Sequence, residues 1–187
     1  MVALSDRIRL GCAAAPLTVT LAVDPFGTEG LTPDLRQKLL DYLGSKRLAG
    51  YDLKVTGAIY LAVDLAIEFS VAPGFQPGNV EEALLIALSN SLLAGGSKGF
   101  FHPDNFTFGQ GLYVSKIYAA VMAVPGVQSA QITRLARLRT AQPDSETNAN
   151  LAQGFLAVGP DQIIRLDNDR NFPENGSLTV RPKRGVA

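Results

Sequence analysis

The sequence has very little cysteine and histidine, two residue types that many catalytic and metal sites use. It contains one cysteine, Cys12, and one histidine, His102. A single cysteine excludes an internal disulfide bond, and a histidine-based zinc site or a Ser-His-Asp triad would have to rest on His102 alone. The surrounding segment HPDN is typical of a turn, because proline fixes φ and aspartate and asparagine favour turn positions. We therefore expect His102 to shape a turn or an interface.

Charged residues are also scarce. They make up 18% of the chain, below the quarter that is usual for soluble domains, and 17 basic residues balance 17 acidic ones. A net charge of zero gives no bulk attraction to nucleic acid or to an anionic membrane. No apolar run approaches the roughly 18 residues that a membrane-spanning helix needs. We therefore expect no nucleic-acid partner and no membrane insertion, and the weakly charged surface fits a subunit of an assembly or a neutral monomer.

Enzyme motifs are absent from the sequence. It has no nucleophile elbow, no phosphate-binding glycine loop and no zinc motif. Asp64 and Glu68 lie on one face of a predicted strand, but four residues along a strand span about 13 Å, too far for a glycosidase pair. We therefore predict that the protein is not an enzyme, and that it has no catalytic residues and no cofactor.

One segment partly matches a calcium-binding loop. Asp167, Asp169 and Asn171 occupy its first, third and fifth positions, but Phe172 replaces the glycine and Leu178 the final glutamate. Half of the ligand set is therefore missing. We predict an Asx-rich turn between two strands and no metal site, and calcium binding is the alternative.

Hydrophobic spacing predicts alternating strands and helices. Residues 17–43 are expected to form a strand and then a helix, because apolar residues alternate at first and Thr32 then precedes leucines at helical spacing. The range 59–71 has seven alternate apolar positions. It predicts one long central strand, in which Leu65 and Ile67 are buried.

Two further helices and one loop are expected later in the chain. The range 80–93 is apolar on most of its circumference, so this helix should be covered on two sides. One cover would be the sheet, and the other either the predicted helix at 113–123 or a partner subunit. Residues 140–150 are polar and show no periodicity, which predicts a flexible surface loop.

This order of elements predicts an α+β fold. We expect two adjacent βαβ-type, ferredoxin-like units with helices packed on a largely antiparallel sheet, followed by a C-terminal β-hairpin. The predicted parts are an N-terminal segment at 1–15, a first α/β unit at 16–58, a second at 59–139, the loop at 140–150, and C-terminal strands and tail at 151–187.

The stretch from Gly99 to Val127 is unusually rich in aromatic residues. Such residues are enriched at the cores of protein interfaces, so we predict a docking surface here. One of two adjacent phenylalanines should face the core, whereas Phe106 and Phe108 should share an exposed face. The predicted interface residues are Phe100, Phe101, Phe106, Phe108, Tyr113 and Tyr118.

Three blocks of the sequence together resemble the baseplate J-like family. They are LTPDLRQKLLDYLGSKRLAGYDLKV, with its turn at Arg47 to Gly50, then FFHPDNFTFGQGLYVSKIYAAVMAVPGV, and LAVGPDQIIRLDNDRNFPENGSLTV. The resemblance covers roughly residues 16–182 and is to the C-terminal part of these proteins. Family members usually carry a long N-terminal region as well, so we expect either a fragment or a minimal version.

The resemblance implies a structural role in the baseplate wedge of a contractile phage tail or a related injection system. The implied partners are other wedge subunits, the central spike or hub, and the sheath, in a homo- or hetero-oligomer. The implied location is the virion tail baseplate or an intracellular injection particle assembled in the bacterial cytoplasm. The alternatives are a small hydrolase or ligand-binding domain that uses the His102 loop, and a stand-alone adaptor or chaperone that binds a partner by an exposed strand edge.

Overall fold

The computed structural model describes residues 8–15, 18–25 and 30–183. Residues 1–7 of the predicted N-terminal segment, Leu17 of the first predicted strand and residues 184–187 of the predicted tail lie outside the described residues. The architecture is mixed α+β, as predicted. Among the described residues, no helix combines the length and the apolar character that crossing a membrane requires.

Backbone contacts divide the chain into two units. Among the described residues, the first unit contains those up to Tyr60 together with 107–110 and 158–163, and the second contains 61–106, 111–157 and 164–183. The first unit therefore includes two short segments that are distant from it in the sequence. Within it, the Gly109 N–H donates to the Gln162 carbonyl at 3.1 Å, and the Ile59 N–H donates to the Asp161 carbonyl at 3.1 Å.

The first unit is a three-stranded sheet with one helix. Its elements are β1 (Ile8–Ala15), β2 (Thr18–Pro25), α1 (Pro33–Gly44) and β3 (Asp52–Gly57). The sheet order is β1-β2-β3. β3 runs parallel to β2 and α1 connects them, so the predicted βαβ unit is present. β1 adds an antiparallel strand that the sequence reading did not assign.

Local signals explain where α1 begins and which face it buries. The Thr32 hydroxyl accepts the Leu35 N–H at 3.3 Å, and a proline follows at the start of the helix. The core of this unit is small, with Leu21, Val23 and Val55 buried. Half-buried leucines complete it, namely Leu31, Leu39, Leu40, Leu43 and Leu53. No residue of α1 is fully buried, so the helix is held by one apolar face.

The second unit contains most of the secondary structure. Its longer elements are β4 (Ile59–Val71, whose first two residues belong to the first unit), α2 (Pro77–Ala87), α3 (Val114–Met122), β6 (Val127–Arg137), α4 (Pro143–Gln153) and β9 (Ser177–Pro182). Two short strands, β5 (Leu112–Tyr113) and β7 (Phe155–Leu156), pair with each other. The strand β8 (Gln162–Arg165), whose first two residues belong to the first unit, pairs with β4.

β4 is the central strand, as its alternating pattern predicts. It pairs antiparallel with β6 and parallel with β9. Every second side chain of β4 from Leu61 to Phe69 is buried, and Leu65 and Ile67 are 0% and 1% exposed. The buried residues of α2 and α3 are Val80, Leu84, Ile117 and Val121, and these helices pack against β9 and β6 respectively.

The helix predicted at 80–93 is α2, which begins earlier and ends sooner. The helix begins at Pro77 and ends at Ala87, whose carbonyl accepts the Phe100 N–H at 2.9 Å. α2 packs against β9 and α3. Of the two predicted covers for this helix, the later helix therefore covers part of its apolar surface. Ile86 stays 51% exposed.

The C-terminal strands do not form the predicted β-hairpin. β9 pairs with β4 in parallel, with Leu178 opposite Leu65 and Val180 opposite Ile67. β8 also pairs with β4. The pairing is favourable because Leu178 and Val180 then lie beside Leu65 and Ile67 and extend the buried face of β4, at 7% and 5% exposure.

The prediction of a flexible loop at 140–150 is wrong, because most of this range lies in helix α4. The helix has no apolar periodicity, since its two buried residues are Thr147 and Asn150. Their side chains bind the backbone of Leu135 in β6. Gly154 ends the helix in the left-handed conformation, with φ 81°. Hydrogen bonds to a strand edge therefore replace the apolar stripe that sequence reading relies on.

Candidate protein–protein interface

The aromatic segment that was predicted to be a docking surface is largely a buried cluster. Phe101 and Phe106 are 2% and 6% exposed, and Phe100 is half-buried. The ring centroids of Phe100 lie 4.9 Å from Phe101 and 6.0 Å from Phe106, and those of Phe101 and Phe106 are 5.8 Å apart. The prediction that Phe106 faces outward is therefore wrong, whereas the prediction that Phe100 or Phe101 faces the core is confirmed.

Backbone contacts explain why these rings turn inward. The Phe101 N–H donates to the Ser89 carbonyl at 3.1 Å, just after the end of α2. A Cβ on Gly99 would overlap that same carbonyl oxygen, so only glycine allows the two chain segments to lie so close. The Asn105 side chain donates to the carbonyls of Gly99 and Phe100 at 2.8 and 3.1 Å. The segment is therefore folded back on the end of α2.

The other predicted interface residues have different surroundings. Phe108 is half-buried and belongs to the first unit. Tyr118 is half-buried, and its hydroxyl accepts the Ile132 N–H of β6 at 3.1 Å. Tyr113 is 46% exposed, and its ring lies 5.8 Å from that of Phe155 and 5.7 Å from the Lys116 ammonium. Of the six predicted residues, Tyr113 alone is exposed.

His102 shapes a turn, as its sequence context predicts. Its Nδ1 atom accepts the Asp104 N–H at 3.2 Å, immediately before a short 3-10 helix at Pro103–Asn105. The Asp104 carboxylate is in turn 2.8 Å from the Lys98 ammonium. The histidine, the aspartate and the lysine thus stabilise the local turn.

The segment that resembles a calcium loop is also held by internal contacts. The Asp167 carboxylate is 2.7 Å from the Arg165 guanidinium and accepts the Asn90 side-chain N–H at 3.1 Å. The Asp169 carboxylate accepts the Asn171 N–H at 2.8 Å, which is an Asx-turn contact. Within 8–15, 18–25 and 30–183, no three His, Cys, Asp or Glu residues are placed to hold a metal ion together.

The outer face of the second unit's sheet carries polar cross-strand contacts. The Asp64 carboxylate lies 3.1 Å from the Arg134 guanidinium of β6, and it also accepts the Ser177 hydroxyl of β9 at 2.6 Å. Asp64 thereby links three strands. Its contacts are structural bridges across the sheet, on the face opposite the buried side chains of β4.

The first unit contains an apolar groove that sequence reasoning missed. It has a volume of about 300 Å³. Its apolar lining consists of Val19, Leu43, Leu48, Tyr51 and Leu53. It lies where the chain leaves α1 and returns to β3, so residues from both elements and from their connection contribute to it.

The connection beside this groove leaves large apolar side chains in solvent. Leu48 is 74% exposed and Tyr51 is 43% exposed, and Tyr42 on α1 is 62% exposed. The Arg47 guanidinium donates to the Tyr51 carbonyl at 3.0 Å, which closes the turn. Leu48 therefore projects from a turn whose backbone is held in place. The sequence signal for this site was a leucine inside a short turn between charged residues.

Comparison of the chain with protein-family models and with curated protein sequences found no match.

Proposed function

We propose that the protein is a structural subunit of the baseplate wedge of a contractile tail or injection system. Its three sequence blocks resemble the C-terminal part of baseplate J-like proteins, and the first block contains the turn from Arg47 to Gly50. In this role the chain binds other wedge subunits around the central spike or hub and links them to the sheath. It acts through contact surfaces and performs no reaction.

The observation that carries this proposal is the exposed apolar surface at that turn. Leu48 is 74% exposed and borders an apolar groove of about 300 Å³. An exposed leucine beside a concave apolar groove suits contact with an apolar side chain of another molecule. The feature therefore lies in the same block that carries the resemblance, which supports a subunit contact at this place.

The groove has a lining that suits an apolar side chain of a partner. Five of its lining residues are apolar, and Lys46, Arg47 and Asp52 complete the lining. Interface energy is concentrated where a side chain fills a desolvated pocket, while charged residues surround it. Under the proposed function, an apolar side chain of a neighbouring subunit enters this groove and Leu48 packs beside it.

Replacement of Leu48 by aspartate tests the proposed contact. Because Leu48 is 74% exposed, Leu48→Asp is expected to change the free energy of unfolding by less than about 0.5 kcal/mol. A buried charge without a partner opposes association, so incorporation of the variant into contractile particles should fall by roughly tenfold or more. The measurement is the amount of full-length chain that co-sediments with purified particles, with unfolding followed by circular dichroism.

Leu92→Asp is the matched control. Leu92 is 65% exposed and lies in the second unit, so it introduces the same charge at a similarly exposed leucine away from the groove. We expect its incorporation to equal that of the unmodified chain. Normal incorporation of the folded Leu48→Asp variant would show that the groove makes no contact in the particle.

A further inference from the structure

The strand β6 is the last strand on one side of its sheet, yet the outward backbone groups of Leu135 are occupied, and the Ile132 N–H donates to the Tyr118 hydroxyl of α3. The sheet order is β6-β4-β8, so β6 has a strand neighbour on one side only. The Leu135 N–H donates to the Thr147 hydroxyl at 3.2 Å, and the Leu135 carbonyl accepts the Asn150 side-chain N–H at 2.9 Å. Both backbone groups of Leu135 therefore point away from β4 toward helix α4.

The two side chains reproduce the contacts that another strand would make. In an antiparallel pair, a hydrogen-bonded residue donates its N–H to a carbonyl and accepts an N–H from the same partner residue. Here the Thr147 oxygen takes the place of the carbonyl, and the Asn150 nitrogen takes the place of the N–H. The spacing of three residues puts both side chains on one face of the helix.

α4 is attached to β6 without a buried apolar residue. Thr147 and Asn150 are its only buried residues, at 4% and 8% exposure. The segment PDSETNANLAQ is rich in residues that do not favour helix interiors. Its remaining link to β6 includes the Arg137 guanidinium, 3.6 Å from the Glu146 carboxylate. An element with so little apolar burial belongs to the part of a structure that opens first.

We propose that α4 covers the edge of β6, and that β6 pairs with β6 of a second copy of this chain when α4 no longer covers it. An edge strand with free backbone groups is a template for adding another strand. Two identical strands can pair antiparallel about a two-fold axis, because each then offers the other the same groups. Centred on Leu135, that pairing lets the two Leu135 residues exchange both hydrogen bonds now made to Thr147 and Asn150.

The charges on β6 permit this register. In a pairing centred on Leu135, Arg134 lies opposite Ala136, and Arg137 lies opposite Thr133, the residue that the bulge in β6 leaves without a partner on β4. No arginine therefore faces an arginine directly, and like-charge pairs directly opposite each other are avoided. This inference does not depend on the proposed function, since it concerns only how the chain avoids association with itself.

The double variant Thr147→Val, Asn150→Leu tests the proposal. It keeps similar side-chain volumes but removes the acceptor and the donor that hold Leu135. The dissociation constant for self-association, measured by analytical ultracentrifugation over a range of protein concentrations, is expected to fall by about tenfold or more. The Leu135 amide should exchange with solvent more slowly as the concentration rises, because it is then paired with the second copy.

The matched control is Ser145→Val, Asn148→Leu. Both residues are exposed on α4 at the same spacing of three residues, so the control adds the same apolar groups without touching β6. We expect it to associate no more than the unmodified chain. Equal association of both double variants would overturn the proposal, because apolar surface alone would explain it, and so would a Thr147→Val, Asn150→Leu variant that stays folded and does not associate.

Hydrogen exchange of the unmodified protein keeps the proposal testable if the double variant fails to fold. The amides of α4 and of Leu135 are expected to exchange through one shared local opening that depends less on denaturant than the exchange of the β4 amides. Exchange of the Leu135 amide only through unfolding of the whole second unit would contradict a helix that can leave the edge.

Discussion

Replacement of Phe106 by alanine is expected to destabilise the second unit by about 3–5 kcal/mol. Phe106 is 6% exposed, and its ring packs against those of Phe100 and Phe101 with centroids 6.0 and 5.8 Å away. The substitution removes the buried ring and leaves a cavity. The walls of that cavity are held in place by two hydrogen bonds. The Phe101 N–H donates to the Ser89 carbonyl after α2, and the Asn105 side chain donates to the Gly99 carbonyl. Denaturant unfolding of the full chain measures the loss.

Phe172→Ala is the control for this prediction. Phe172 also lies in the second unit but is 54% exposed. Its replacement is therefore expected to cost less than about 1 kcal/mol, because surface substitutions that leave no cavity have small effects. If Phe106→Ala lowered the free energy of unfolding by as little as this control, the three rings would not form a buried cluster. Phe106 would then face outward, as the sequence predicts.

Replacement of Leu65 by alanine is expected to cost about 2–5 kcal/mol. Leu65 is 0% exposed and lies at the middle of β4. It is opposite Leu135 of β6 on one side and Leu178 of β9 on the other. Hydrogen-bonded strands flank it on both sides, so the neighbouring side chains have little freedom to fill the space. Equilibrium unfolding in denaturant, compared with the unmodified protein, gives the change in free energy.

Leu92→Ala provides the matched leucine deletion at a surface position. Leu92 is 65% exposed, so little apolar area is lost from the folded state and the expected change is within about 0.5 kcal/mol. A loss of less than about 1 kcal/mol for Leu65→Ala would contradict the central place of β4, because large-to-small changes at a fully buried leucine cost more than this.

The elements that the sequence predicts well are those whose local signals agree with their packing. β4 has strict alternation over its whole length, and one face of it is buried while the other is not. α1 has a threonine cap followed by proline at its start. For β4 the residue pattern and the buried face coincide, and for α1 the capping signals agree with the helical spacing of its leucines.

Other features depend on contacts that no local pattern reveals. α4 is a helix because two polar side chains bind the Leu135 backbone, and such partners are not visible in a hydrophobic pattern. β9 joins β4 in parallel over a long sequence separation, a pairing that spacing does not determine. Phe106 was predicted to be exposed, although the close approach of Gly99 to Ser89 folds this segment back on the end of α2.

The candidate interface in the structure differs from the predicted one, because contacts that no local pattern reveals also decide which apolar residues are exposed. The composition of the aromatic segment is typical both of interface cores and of buried clusters, and the structure places Phe101 and Phe106 in a buried cluster. The most exposed of the large apolar residues that the structure describes is Leu48, which a turn after α1 keeps in solvent at 74% exposure. A single leucine in a polar turn carries little weight in a sequence pattern, so this site required the fold.

The most direct test of the proposed function is to locate the chain in a contractile particle. The native host would express the full-length chain with an epitope tag in place of the unmodified chain, and purified particles would be imaged by electron microscopy with a gold-labelled antibody. The proposed function predicts gold at the baseplate end of the particles. Intact contractile particles that lack the chain, or gold distributed along the sheath, would contradict a role in the baseplate wedge.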